Sequence, residues 1–256
     1  MFDQPLFQKK HQQYERRFVH DSFIKNEIAE RLLDKLSFIK LNPQYVFAEG
    51  LDSHLAAIKA LYPNATIHRK LNPEIAYDVI ISQCKIQQAA NINTQLRDWY
   101  KQLKPQGVLV FTSFGSSSLQ EIKKAWQLTD GMVHINQMLD MHDIGDLLKK
   151  EQYQSVVMDA ETLKLQYETI DTLLTDIREL NEPLADTKMR KTLTGKARWQ
   201  RFCERLEKFG LSVSYEVFYG YGYKGNELIA RKETDHESMI SFDQLRDALK
   251  HNKKRL

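Results

Sequence analysis

Short runs rich in apolar residues, Tyr45–Ala48, Ala65–His68, Tyr77–Ile81 and Val108–Thr112, recur through the first 114 residues with helix-length stretches between them. A strand without a polar face cannot lie half in water, so such runs belong in a parallel sheet covered on both sides. The pattern predicts an α/β, doubly wound, mostly parallel Rossmann-like sheet with right-handed crossovers. The turns punctuate it as they should: Asn42-Pro43, Pro63-Asn64 and Lys104-Pro-Gln-Gly107 each precede a strand.

The remainder is less regular. Residues 1–40 read as a helical lid, with Phe23, Ile28, Leu32, Leu33 and Leu36 on one face. Residues 41–114 carry the Rossmann-like half, and 115–256 an α+β elaboration that completes the same sheet. Helices are expected near Leu119–Gln127, Ile144–Lys150, Thr169–Leu180 and Ala197–Phe209, and strands at Tyr153–Met158, Thr162–Tyr167 and Leu211–Tyr219.

At 256 residues, 42% hydrophobic and 28% charged, the chain has the composition of a water-soluble globular protein. It shows no apolar run of membrane-spanning length and no apolar signal core between Met1 and Arg17. Cys84 and Cys203 form neither a metal spacing nor a disulfide framework, so no metal is expected and a reducing cytoplasm is the natural setting. A net charge of +3 is too small to argue for nucleic acid. Basic residues do concentrate in Lys188–Arg205 and Lys250–Arg255.

Ligands of open α/β sheets bind beyond the carboxyl ends of the strands. The first such turn reads Val46-Phe-Ala-Glu-Gly-Leu-Asp-Ser-His-Leu55. It aligns with the Asp-x-Gly-x-Gly-x-Gly loop on which methyltransferases of the S-adenosylmethionine class seat their cofactor. The four motif positions hold Ala48, Gly50, Asp52 and His54, so one glycine of three remains and the acid is lost. Asp52 and Ser53 suit a helix N-cap instead. Beyond the second strand, where an acid should accept the ribose hydroxyls, stand His68, Arg69 and Lys70. Arginine and lysine can only donate.

Further along, Met138-Leu-Asp-Met-His-Asp-Ile-Gly-Asp-Leu-Leu148, Val157–Tyr167, Leu193-Thr-Gly-Lys196 and Tyr215-Glu-Val-Phe-Tyr-Gly220 resemble the malonyl-acyl-carrier-protein O-methyltransferases of biotin synthesis. Met1-Phe-Asp and His20-Asp-Ser-Phe-Ile24 resemble a related group that includes a mitochondrial complex I assembly factor. The resemblance covers nearly the whole chain and implies a methyltransferase fold, but a degenerate member. Between the second and third strands, Leu71-Asn-Pro-Glu-Ile-Ala76 stands where the family has a further helix and strand. About 25 residues, one crossover unit, are thus missing, and the sheet should be one strand narrower on that side.

The resemblance implies a methyl donor and a malonyl-carrier substrate; the eroded loop implies a pseudo-methyltransferase with no cofactor expected. Three readings follow: a non-catalytic protein with a retained binding surface, an active enzyme that uses S-adenosylmethionine, and a structural subunit of an active paralogue. Candidate pocket residues are Tyr14 and Phe18 on the lid, and His134, His142 and Asp143, which could otherwise pack or cap a helix. Trp126 reads as core, and Cys84 lacks a neighbouring base. For an acidic acyl carrier protein, Arg198, Arg201 and Arg205 recur at helical spacing and offer a cationic face.

Overall fold

The computed structural model describes residues 2–15 and 22–225. The elements run α1 (Gln4–Glu15), α2 (Phe23–Ser37), β1 (Tyr45–Glu49), α3 (Leu55–Leu61), β2 (Thr66–His68), β3 (Tyr77–Gln83), α4 (Ile92–Gln102) and β4 (Leu103–Phe114). They continue with α5 (Gln120–Thr129), α6 (Met141–Lys150), β5 (Gln154–Gln166), α7 (Ile170–Glu179), α8 (Lys196–Lys208) and β6 (Ser212–Tyr223). All six strands form one sheet in the order β2-β1-β3-β4-β6-β5. The first four are parallel, and β6 runs antiparallel to β4 and to β5.

The apolar runs alternate between two cores, as the period of two for a strand requires. Val46, Ala48, Val79, Ile81, Val108 and Val110 pack under α2, α3 and α5. Phe47, Ile80, Leu109 and Phe111 face the other way, onto Leu96 and Trp99 of α4 and Leu148 of α6. Trp99 is 1% exposed. Ser22 caps α2 and Asn91 caps α4, each accepting a backbone N–H three residues on.

The sheet expected to end at the second strand does so: among the described residues β2 pairs with β1 alone and forms the edge. Residues 69–76 carry the chain from β2 past β1 to β3 without a helix, which works because β2 is only three residues long. Tyr77 holds this link. Its hydroxyl accepts from Asn72 N at 3.0 Å and meets His68 Nδ1 at 3.1 Å, while Ile75 packs on the Phe47 side of the sheet.

Three expectations need correction. The strands expected at Tyr153–Met158 and Thr162–Tyr167 are one strand, β5. Asp159-Ala160-Glu161, polar enough to pass for a turn, pair with Tyr219, Phe218 and Val217. Their carboxylates are satisfied from α2, Asp159 by Lys35 and Glu161 by Arg31, each at 2.7 Å. The N-terminal forty residues, expected to read as one helical stretch, carry two helices, α1 and α2, with residues 16–21, Phe18 among them, outside the described residues. Lys104–Gly107 lies within β4, where the register against β3 shifts between Tyr77 and Val79. The basic tail Lys250–Arg255 lies outside the described residues. Among the described residues no helix is long and apolar enough to cross a membrane.

Candidate functional site

The carboxyl ends of β1 and β3 face a crevice beneath α2 and residues 179–182. Gly50 turns the chain out of β1 at φ +76°, and a Cβ there would stand 2.6 Å from the Gln83 carbonyl oxygen. The retained glycine is therefore demanded by the neighbouring strand, whatever it once offered a ligand. Ala48 is buried in β1 and His54 enters the wall of a recess of about 220 Å³ that also includes Lys25, Gly50, Gln83 and Lys85.

Asp52 does not cap. Neither the 3₁₀ turn Asp52–His54 nor α3 has a side-chain cap bond, because the Asp52 carboxylate accepts from the Arg69 guanidinium instead. The pair is 63% exposed on each side, so its stabilising effect is small. Its chemical effect is larger: the Asp52 carboxylate near the end of β2 is already engaged by the Arg69 cation. Lys70, exposed, lines the same open hollow with both.

Two carboxylates that sequence reading passed over stand beside residues of the crevice. Glu49, at the end of β1, accepts from Ser82 Oγ at 3.1 Å. Burial pushes its carboxyl above the usual range, against the pull of Ser82 and Lys85. Glu182 reaches in from the far wall and accepts from Gln88 Nε2 at 2.6 Å and Gln87 Nε2 at 3.4 Å, with the Lys25 ammonium at 3.7 Å. It too is raised, chiefly by burial, with Lys25 opposing. Gln83 Nε2 donates to the Lys25 carbonyl, which ties the end of β3 to the first turn of α2. No motif marks Glu182; only the fold brings residue 182 to residues 25 and 88.

The strap that carries Glu182 is anchored from both sides. Lys10 Nζ donates to the Leu184 carbonyl at 2.6 Å, Asp3 N to the Ala185 carbonyl at 2.7 Å, and His11 Nδ1 lies 3.0 Å from the Asn181 carbonyl. Asn136 donates to the Pro183 carbonyl at 2.9 Å and accepts from Ala185 N at 2.8 Å. Cys84, buried beside Thr112, has its thiol pushed up by burial, the opposite of an activated nucleophile.

The other expected residues scatter. His134 is stacked on Trp126 at 3.7 Å and bonded to Asp130 at 3.0 Å, and it lines a separate cavity of about 420 Å³ beyond β4. Trp126, 7% exposed and backed by Phe202 at 4.1 Å, is core that also walls this cavity. His142 and Asp143 sit exposed in the first turn of α6, which Asp140 caps by accepting from His142 N at 2.9 Å. Tyr14 is half-buried on α1.

The cationic face of α8 is only partly free. Arg198 lies 3.5 Å from Asp130, and Arg205 donates to Thr129 Oγ1 at 3.0 Å, so both are spent on the end of α5. Arg201 is exposed between them, with Lys188, Lys191 and Lys196 also exposed. Among the described residues no cluster of three or more His, Cys, Asp or Glu could hold a metal ion.

No family model matches the chain. Among curated proteins it is 28% identical to malonyl-[acyl-carrier protein] O-methyltransferase 1 of Coxiella burnetii, covering 90% of this chain and 91% of that one. It is 26% identical to the malonyl-[acyl-carrier protein] O-methyltransferase of Legionella pneumophila, covering 79% and 84%. Among solved structures, phosphoethanolamine N-methyltransferase 2 of Haemonchus contortus overlaps with a TM-score of 0.44 at 12% identity, covering 77% of this chain and 53% of that one. Over most of its length the chain is homologous to the malonyl-[acyl-carrier protein] O-methyltransferases of biotin synthesis.

Proposed function

We propose that this protein keeps the methyltransferase fold without methyl transfer, and acts by binding a partner, an acidic acyl carrier protein or an active paralogue. The observation that carries the reading is the content of the crevice. Seating S-adenosylmethionine there needs an open glycine bend and an acceptor for the ribose hydroxyls. The bend here carries Asp52 and His54 where the motif has glycines, the acceptor place holds Arg69 and Lys70, and Lys25, which lines the recess, is held by Glu182. These residues do not fit that cofactor. The loss of a charged, bidentate acceptor alone removes a few kcal/mol, about a hundredfold in affinity.

The partner side rests on charge. Arg201, Lys188, Lys191 and Lys196 are exposed basic residues on and just before α8, and exposed basic residues speed encounter with an acidic partner. The relatives act, by their names, on malonyl-[acyl-carrier protein], which is the partner of that chemistry.

A second reading, an active enzyme that methylates a malonyl-carrier carboxylate, is favoured by similarity to those relatives over 90% of the chain. The two separate in one assay. Purified protein is incubated with S-adenosylmethionine labelled in its methyl group and with malonyl-carrier protein. The proposal expects no label transferred above a protein-free control, and enzyme turnover would overturn it.

A further inference from the structure

The cavity of about 420 Å³ beyond β4 lies apart from the crevice over Gly50, on the other side of the 181–189 strap. One part of its wall is apolar, with Trp126, Ile135 and Met138; another carries Lys123 and Lys188, with Asp186 nearby. An apolar wall facing a cationic one can seat a ligand that is apolar along its length and charged at one end.

Lys123 is the informative group. It sits half-buried on α5, and its ammonium donates to the Ser116 carbonyl at 2.8 Å. Among the described residues no carboxylate comes within 4.0 Å of it. Glu216, the acid whose field does reach it, is bonded to Ser117 N at 2.8 Å. Burial prevails over that field and lowers the Lys123 ammonium from its ordinary value. A half-buried cation without a contact counter-ion, at the edge of a cavity with an apolar wall, is unfavourable by itself and is relieved by an incoming anion.

We propose that this cavity binds an apolar chain ending in a carboxylate, with Lys123 as the counter-ion and Trp126, Ile135 and Met138 as the wall for the chain. A single negative charge suits it better than a phosphate dianion. Asp186 lines the same cavity and Glu216 lies within reach of Lys123, so a second negative charge meets repulsion from both. Trp126 cannot swing away to admit a bulkier group, since His134 covers one face and Phe202 the other. The site stands whether or not the crevice over Gly50 takes a methyl donor.

The test is calorimetric titration of the full chain with octanoate and with octanamide, a neutral partner of the same length. Wild type should bind octanoate saturably and octanamide about fivefold more weakly, the upper range of a partly exposed charge pair. Lys123→Gln should abolish that preference, and Lys123→Arg should keep it. Absence of saturable octanoate binding, equal binding of acid and amide, or an undiminished preference in Lys123→Gln would each overturn the proposal. The wild-type comparison decides it even if a variant does not fold.

Discussion

Replacing Gly50 by alanine isolates what the retained glycine does. At φ +76° an alanine pays the left-handed cost of about 1–2 kcal/mol. Its Cβ would also lie 2.6 Å from the Gln83 carbonyl, so the ends of β1 and β3 must part. Forcing an extra carbon into a packed place costs about 1–3 kcal/mol. Against this, alanine loses less chain entropy on folding and recovers about 0.4–1 kcal/mol. The net is a destabilisation of about 2–4 kcal/mol, which for a chain of this size lowers Tm by roughly 5–15 °C. Gly131→Ala supplies the control. It sits at φ +66° with nothing within 4 Å of the added carbon, so it should show the backbone cost without the collision. Urea unfolding followed by circular dichroism measures both, in the absence of any ligand. A Gly50→Ala change within about 0.5 kcal/mol of wild type, or no larger than that of Gly131→Ala, would refute the claim that the fold demands this glycine.

Two further outcomes follow from the site. Glu49 has its folded pKa raised by burial, so its contribution to stability is full below the ordinary carboxylate value and is lost as pH rises through the raised one. Glu49→Gln, which can still accept from Ser82, should therefore raise Tm at pH 8 and leave it nearly unchanged at pH 4; the reverse order would show that Lys85 outweighs burial. On α8, Arg201→Glu should weaken association with an acyl carrier protein several-fold at low salt with the melting curve unchanged. The effect should shrink at 0.5 M salt. Arg198→Glu should instead lower Tm, because it turns the contact with Asp130 repulsive. Equal carrier binding by wild type and Arg201→Glu across salt would remove Arg201 from the interface.

Strands β1, β3 and β4 of the parallel half were legible because each is largely buried and shows as an apolar run, while β2, a three-residue edge strand, was marked by the turn before it. The narrower sheet was legible for a related reason: Leu71–Ala76 is too short to hold a crossover helix and strand. The long edge strand β5 was read as two because Asp159 and Glu161 carry the signature of a turn, and their partners Lys35 and Arg31 lie on a distant helix. At the site, the altered motif positions were visible, but what had taken their place was not. Asp52 read as a helix cap because the sequence does not reveal that Arg69 competes for it across β1 and β2. Glu182 sits after α7 with no pattern around it, and its meaning arises only when the strap closes over Lys25 and Gln88. The arginines of α8 were seen on one face, yet that face packs on α5 through Asp130 and Thr129 and leaves Arg201 alone exposed.

The central claim is that the crevice over Gly50 no longer accepts S-adenosylmethionine. Isothermal titration of the full chain with S-adenosylmethionine, and with its demethylated product S-adenosylhomocysteine, measures this directly. The account predicts no saturable heat below about 1 mM for either, since losing the ribose acceptor costs about a hundredfold before the loss of two motif glycines to Asp52 and His54 is counted. Saturable binding of either with a micromolar Kd would contradict it and show a rebuilt cofactor site.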